Sequence, residues 1–469
     1  AVLMVVAFHA NFFTPGGFVG VDVFFVISGF VITAMMMREW DRSGTIRLGR
    51  FYVRRFKRLA PALAVLISVV MAAGALLLSP FGGQQVAAKT ALGALLLGSN
   101  FVIARTTGGY FDAPADNNPL LNLWSLSIEE QFYLVFPALM LGGWAVARRR
   151  FPHRGPVMVI GVLGGVSLAL ALAVSAGWSA AWVPDELVGF YGTATRVWEF
   201  AAGALLALGG SKLAVHNRRL AALSGCLGGA MLLASLWLID GSSLFPGVWT
   251  LLPVAGTVLL IAAGATQTFV TRLLSSSPLV WIGDRSYSIY LWHWPMIVFA
   301  RINISNAVPA LALAGLLSFV PAAASYRWVE EPIRAMELNS RKTFASLVAA
   351  TVALPLGLTA LLAVAAGNSF WSPQLREQQE AISADHTVNR VRCTGAKARN
   401  DLDRCTWNED APGDPIYLVG DSNADHLSEA LIGASRSLDR PLVALPEHGC
   451  SFVSGSSSLA NPNWRKRCD

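Results

Sequence analysis

Charge is scarce in this 469-residue sequence. Asp, Glu, Lys and Arg make up 14% of it, against roughly 25% in ordinary soluble domains. Hydrophobic residues reach 54% and the mean hydropathy is +0.50. The length alone would allow two or three soluble domains of about 150 residues. The composition excludes them, and it excludes disorder, coiled coil and collagen. Cysteine is also sparse. Cys226 stands alone in the apolar part, while Cys393, Cys405, Cys450 and Cys468 fall within the last 77 residues, the only polar region. That points to an oxidising compartment for the tail, with Cys393 and Cys405, twelve apart, as a local disulfide and Cys450 with Cys468 as the other pair, one of the three connectivities that four cysteines allow. A charged leader is missing as well. The chain is apolar from Ala1, without Met and without a small-residue cleavage site, so it does not open on a signal peptide. It reads as a membrane segment whose start lies upstream. The end at Arg467-Cys468-Asp469 closes no element, so a continuation is expected there too.

What is present is a succession of apolar stretches. A spanning helix needs about 20 such residues, within roughly 17–25. Candidates are 1–13, 18–37, 59–79, 131–147, 156–176, 196–210, 219–239, 248–264, 286–303, 306–327 and 343–366, with a further stretch at 89–104. Basic loops set their orientation. Segment 38–58 holds Arg38, Arg42, Arg47, Arg50, Arg54, Arg55, Lys57 and Arg58; segment 148–155 holds Arg148, Arg149, Arg150 and Arg154. Both read as cytoplasmic, so the chain crosses an even number of times between them. Spans 59–79 and 131–147 supply the two crossings, which leaves 89–104 as an interfacial or re-entrant helix on the outer side. The pattern predicts eleven spans, the amino end inside and the tail outside. The net charge of +7 is then a topology signal on cytoplasmic loops. It forms no nucleic-acid reading surface. No internal repeat of the transporter kind is visible.

The expected organisation is an all-α polytopic membrane domain of about eleven transmembrane helices, followed by the start of an α/β domain. The membrane domain covers 1–335 and the eleventh span 336–370. An extracytoplasmic linker covers 371–412 and the α/β segment 413–469. In the last, Pro415–Val419 and Pro441–Leu445 read as buried parallel strands around a helix at Ala424–Leu438, a βαβ unit.

Titratable groups inside spans are costly and usually functional. His9 and Asp22 stand equidistant from the turn Thr14-Pro15-Gly16-Gly17, at equal depth on adjacent helices. A carboxylate can there orient an imidazole as general base; a polar clasp between helices is the plainer alternative. Arg54, Arg55 and Arg58 precede Pro61, read as a helix start. They are a positive-inside flank with snorkelling side chains, or a phosphate site at a helix N-terminus. Glu129 and Glu130, beside Gln131 and Tyr133, are interface residues or a polyol site at the depth of His9. Arg196 and Glu199 are three apart and simply pair. The run Ser286–Pro295 is unusually aromatic and polar, and Tyr287, Tyr290 and His293 in it form an aromatic belt or the wall of a cofactor site. Cys226 reads as a core residue. Ser422 lies between a strand and a helix, where backbone N–H groups can hold an oxyanion.

These motifs resemble a known family. "FHANFFTPGGFVGVDVFFVISGFVIT", "FYVRRFKRLAP", "LWSLSIEEQFY" and "SYSIYLWHWP" are similar, in order, to the motifs of membrane acyltransferases of family 3, over about 1–335. The eleventh span and "YLVGDSNADHL" resemble the subgroup with a fused extracytoplasmic SGNH domain. The resemblance implies transfer of an acyl group, acetyl or succinyl, from cytoplasmic acyl-CoA to a hydroxyl of a cell-envelope glycan. It implies a multi-pass protein of the bacterial cytoplasmic (inner) membrane, with membrane lipid, acyl-CoA and an extracytoplasmic glycan as partners, and with no metal and no nucleic acid. His9 matches the family's essential histidine, Arg54, Arg55 and Arg58 its donor-holding basic motif, and Glu129 and Glu130 its acidic motif. Ser422 matches the SGNH nucleophile, with Asn423 beside it. Two departures stand out. The family's arginine eleven residues before the histidine falls before Ala1, and the SGNH Asp-x-x-His block falls after Asp469, so the triad of Ser422 is incomplete here. The implied mechanism has His9, oriented by Asp22, taking the proton of a sugar hydroxyl that attacks the thioester. A polytopic flippase of acylated lipid and a membrane-anchored esterase are the rival classes.

Overall fold

The computed structural model describes residues 1–107, 110, 115–146, 154–178, 184–337, 341–368, 370–383, 387–390, 393 and 402–446. The basic run Arg148, Arg149 and Arg150, and both Cys450 and Cys468, lie outside the described residues. The chain divides into two compact units, Ala1–Phe370 and Trp371–Asp469.

The first unit is helical. In lipid, backbone N–H and C=O groups must bond within the segment, and a helix does that. Helices α1 (Val2–His9) and α2 (Gly20–Ser43) form the first hairpin, with a 3₁₀ turn at Gly17–Val19 between them. A Cβ on Gly17 would stand 2.4 Å from the Met4 carbonyl oxygen, which is why the turn is glycine-rich. The chain continues through α3 (Leu48–Leu77), α4 (Gly83–Leu95), α5 (Ser99–Thr107), α6 (Leu123–Val146), α7 (Arg154–Ser175) and α8 (Val197–Gly209). Next come α9 (Arg218–Leu238), α10 (Leu251–Ala263), the short α11 (Phe269–Leu274) and α12 (Ser277–Asp284), and α13 (Ser286–Asn303). After a short loop come α14 (Val308–Leu317) and α15 (Phe319–Ser325), a π-helical turn at Tyr326–Glu330, and α16 (Glu331–Ala335), which adjoin one another with no gap longer than one residue. Helix α17 (Arg341–Gly367) closes the unit and packs on α3 and α4.

Each of the eleven apolar stretches contains a helix. Among the described residues, six helices are long and apolar enough to cross a membrane: Gly17–Ser43, Leu48–Leu77, Arg154–Ser175, Arg218–Leu238, Val308–Ala335 and Lys342–Gly367. Helices α1, α8 and α10 are shorter, and α6 and α13 carry the polar residues considered below. The stretch 89–104 breaks into α4 and α5, with Leu97 at φ 58° between them, so neither piece spans. Two readings are corrected. Pro61 lies well inside α3, so Arg54, Arg55 and Arg58 stand in its second and third turns and not at a helix N-terminus. Cys226 is exposed on α9, because the bundle buries the opposite side of that helix.

Helices α2 and α8 pack closely. A Cβ on Gly29 would fall 2.0 Å from the Phe200 carbonyl oxygen, and one on Gly203 1.9 Å from that of Val26. Small residues at facing positions let the backbones touch, the usual way of gaining dispersion contact in lipid.

The second unit holds α18 (Pro373–Ser383), α19 (Thr387–Arg390), β1 (Thr406–Trp407), β2 (Ile416–Gly420), α20 (Ser422–Ser437) and β3 (Leu442–Pro446). The expected strand, helix and strand form within one or two residues of their expected bounds. Strands β2 and β3 are parallel, with Leu418 opposite Ala444, and β1 adds to β3 antiparallel, in the order β1-β3-β2. The apolar faces of both strands and of α20 bury Leu418, Ile432, Leu442 and Ala444 around Val388 and the Cys393–Cys405 disulfide. That bond joins residues twelve apart, the local pair the spacing suggests. A loop of that size stabilises the folded state by roughly 3 kcal/mol, chiefly by restricting the unfolded chain. Cys405→Ser in the full chain is therefore expected to speed proteolytic cutting within 387–446. Unchanged cutting rates would show that the disulfide stabilises nothing there.

Candidate functional site

His9 ends α1 and is buried. Its Nδ1 lies 2.8 Å from His293 Nε2, and its Nε2 lies 2.8 Å from the Tyr110 hydroxyl. The hydrogen positions follow from the far end of this chain of bonds. His293 Nδ1 lies 2.8 Å from the Tyr290 carbonyl oxygen, which only accepts, so Nδ1 carries the hydrogen. A neutral His293 then has a bare Nε2, which accepts from His9 Nδ1–H. His9 Nε2 is left as a lone pair, and the Tyr110 hydroxyl donates to it. The two imidazoles are nearly parallel, 7° apart, and Trp294 packs on His9 with centroids 4.3 Å apart. A cavity of about 180 Å³ opens beside His9, lined also by Phe8, Tyr110, Asp116, Trp294 and Arg301. The group that fixes the tautomer of His9 is thus His293, which lines no described cavity.

Asp22 does not reach His9. Its carboxylate accepts from Arg196 Nη1 at 2.6 Å, and the same nitrogen donates to Glu199 at 3.0 Å. All three side chains are at most 1% exposed. The guanidinium also lies 4.9 Å from the Phe190 ring and 5.0 Å from that of Phe245. Equal distance from a turn fixes a residue's height on a helix but not its rotation about the axis. Asp22 faces α8, whereas His9 faces α13. The expected Arg196–Glu199 pair forms and takes Asp22 as a third member.

A second cavity, of about 260 Å³, lies among α2, α3, α6, α12 and α13. Arg55, Arg58, Ser28, Glu129, Tyr133, Tyr287 and Tyr290 line it. Glu129 accepts from Ser28 at 2.7 Å and from the Tyr133 hydroxyl, and Arg55 lies over the Tyr133 ring, 3.8 Å from its centroid. The Tyr287 hydroxyl donates to the Leu59 carbonyl at 2.9 Å, and Tyr290 shares a hydrogen bond with Ser125 at 2.6 Å. Glu130 points instead into an adjoining, mostly aliphatic cavity of about 340 Å³, which shares Arg55, Tyr133 and Tyr287. The paired glutamates therefore keep company with the arginines and not with His9. Arg54 lines neither cavity and pairs with Glu39 at 3.4 Å. Gln131 turns away too, donating to the Leu97 carbonyl at 2.7 Å.

One helical turn connects the cavities. Tyr290 lines the arginine cavity, and Trp294, four residues and about 6 Å further along α13, lines that of His9. Sequence reasoning missed Tyr110, Asp116 and Ser28, which carry no motif of their own. It also missed Arg301, whose signal was available: an arginine at the end of a span that the basic-loop pattern assigns to the outer side runs against that pattern. Ser422 opens α20 in the second unit, where Asp421 caps the helix by accepting from Asn423 N–H at 2.9 Å.

The buried ion cluster carries a stability cost if broken. Removing one partner of a buried ion pair typically costs about 3–5 kcal/mol, because a charge is left uncompensated. Arg196→Met leaves two carboxylates without their cation and is expected to cost at least that much in detergent unfolding measurements. A loss below about 1 kcal/mol would mean that the cluster is not ionic.

Residues 1–328 match the acyltransferase domain of acyltransferase family 3. The chain is 31% identical over 351 residues to the peptidoglycan O-acetyltransferase OatA of Listeria monocytogenes, covering 71% of this chain and 54% of that protein. It is 31% identical over 357 residues to the putative peptidoglycan O-acetyltransferase YrhL of Bacillus subtilis, covering 72% and 54%. It is 32% identical over 346 residues to the O-acetyltransferase OatA of Staphylococcus aureus, covering 71% and 55%. The aligned region thus spans about half the length of these relatives. No solved structure matches the chain. By the match over its first 328 residues, the chain belongs to the membrane acyltransferases of family 3.

Proposed function

We propose that this protein O-acylates a cell-envelope glycan, with cytoplasmic acyl-CoA as donor and a peptidoglycan hydroxyl as acceptor. Acetyl is the favoured group, because the relatives are named for O-acetyl transfer to peptidoglycan or for O-acetyl transfer alone. The observation that carries the reading is the lone pair of His9 Nε2, held by the Tyr110 hydroxyl at the wall of one small cavity, while a second cavity with Arg55, Arg58 and Glu129 lies one turn of α13 away. Arg55 and Arg58 supply positive charge for the phosphates of the donor, and Tyr287 and Tyr290 line its passage. An acceptor hydroxyl takes the place of the Tyr110 hydroxyl at His9. Its oxygen attacks the thioester carbonyl carbon as its proton passes to His9 Nε2. The C–O bond forms, the C–S bond breaks, and the departing thiolate recovers the proton from His9. The products are an ester and free CoA thiol.

The wider setting belongs to the same proposal. The chain crosses the bacterial cytoplasmic membrane eleven times, with segment 38–58 inside and the second unit outside. That unit is the start of an SGNH domain, in which Ser422 is the nucleophile, and it handles the glycan on the outer face. Donor and acceptor then arrive from opposite sides.

Removing a general base typically costs about 10²–10⁴ in rate. His9→Ala is expected to lose acylation to that degree while still binding CoA, and Arg58→Ala to raise the KM for acyl-CoA with the His9 cavity intact. Acyl-CoA turnover by the purified protein distinguishes this from a flippase, which would show none. Near-normal transfer by His9→Ala would remove the histidine from the chemistry. For topology, a cysteine introduced by Ser43→Cys is expected to resist an impermeant thiol reagent in intact cells, and one introduced by Ser372→Cys to react. The opposite labelling pattern would overturn the donor and acceptor sides together.

A further inference from the structure

Arg301 lies in the last turn of α13. In the proposed topology that end faces outward, where arginine is disfavoured. A snorkelling flank would expose its head group, yet the side chain is only 11% exposed. Its Nη1 donates to Asp116 Oδ2 at 2.9 Å and to the Asp116 carbonyl oxygen at 3.3 Å. The guanidinium carbon stands 5.7 Å from the Trp294 ring centroid. Its Nε–H is buried and has no acceptor. Buried donors are nearly always satisfied, so an orphan on a cation marks a place where an acceptor is missing. The Asp116 carboxylate takes one nitrogen and is itself 57% exposed, so the Nε side remains unspent. Arg301 and His9 line the same cavity of about 180 Å³. A cation with an unpartnered N–H therefore shares one small chamber with a base whose lone pair is held by the Tyr110 hydroxyl.

We propose that Arg301 is the anion site of this chamber, and that Nε–H binds an oxygen anion beside His9. The proposal rests on the acyl-transfer reading for the identity of that anion. Two sources share the chemistry. One is the carbonyl oxygen of the acyl group, which becomes negative when the acceptor hydroxyl adds to the carbonyl carbon and the C=O pair moves onto oxygen. That charge returns to re-form the carbonyl as the C–S bond breaks, so Arg301 is released unchanged. The other source is a carboxylate on the acceptor glycan, held through both ground and transition states.

The test uses the full chain in lipid nanodiscs, with acetyl-CoA and two acceptors: neutral chitotetraose and a glycan fragment with a free muramyl carboxylate. If the anion is the acyl oxygen, Arg301→Gln lowers kcat by about 10²–10³-fold on both acceptors with KM little changed, the usual cost of one oxyanion donor. If it is the acceptor carboxylate, the same variant raises KM on the carboxylate-bearing acceptor alone. Either outcome upholds the anion site, and the pattern identifies its source. Unchanged kinetics on both acceptors overturns it. Asp116→Asn separates a lost ion pair from a lost anion site, because it removes the partner and keeps the cation. It is expected to keep the saturable binding of ¹³C-acetate that Arg301→Gln loses, and loss of that binding in Asp116→Asn as well would overturn the proposal. A readout without turnover keeps the two readings apart. ¹³C-acetate should show saturable line broadening with the wild type that is lost in Arg301→Gln. If the wild type forms no ester, the acyl-transfer reading fails, and the acetate titration still decides the anion site: no broadening with the wild type overturns it.

Discussion

A guanidinium clamped between two carboxylates sets the geometry of the first unit. Arg196, Asp22 and Glu199 are buried together, so each charge depends on the others for its solvation. The cluster pins one face of α2 to α8, and Gly29 and Gly203 let the helices touch just below it. Rotation about a helix advances by about 100° per residue. With Asp22 committed to α8, Ser28 and Val31 are turned to the other side of α2, where they line the cavity of Arg55 and Glu129. Ser28 then reaches Glu129 at 2.7 Å. The orientation of that cavity thus follows from an ion cluster on the far face of the same helix.

Helix α13 plays the complementary part. Its Tyr290 side chain lines the arginine cavity, while its Tyr290 carbonyl fixes the tautomer of His293, which fixes that of His9. The two cavities are joined by one residue acting through different atoms. A change of side chain at position 290 alters the cavity wall but leaves the carbonyl that orders the histidines.

What was legible in the sequence was what depends on local pattern. Apolar stretches marked the helices, and a short apolar run on each side of a helical pattern marked the parallel strands of the second unit. Spacing marked the Cys393–Cys405 pair. What was not legible depends on rotation and on distant partners. Asp22 finds a cation 174 residues away, and no count along the first hairpin reveals it. Pro61 resembles a helix start because proline is common there, but α3 begins at Leu48 and already carries Arg54, Arg55 and Arg58 before reaching it. His293 reads from the sequence as part of an aromatic belt or a cofactor wall, and its bond to His9, 284 residues away, shows in no local pattern. Tyr110 sits in no motif, and its position at His9 is a product of packing alone. His9, Arg55, Arg58, Glu129 and Glu130 stand out in the sequence as titratable groups in or beside apolar spans, the motif resemblance adds their roles, and the structure adds which of them share a cavity.

The break between α4 and α5 has a consequence for how the first unit holds together. A helix interrupted within an apolar environment frees carbonyls that lipid cannot satisfy. Gln131 meets one of them, donating to the Leu97 carbonyl at 2.7 Å and to Asn100 at 2.9 Å. Its own amide oxygen accepts from Thr193 at 2.6 Å, and Asn100 in turn donates to the Tyr191 carbonyl at 3.1 Å. One amide therefore ties the interrupted helix, the loop before α8 and α6 into a single cooperative element. None of the three can loosen without stranding polar groups of the other two, so local opening of this corner is an all-or-none event.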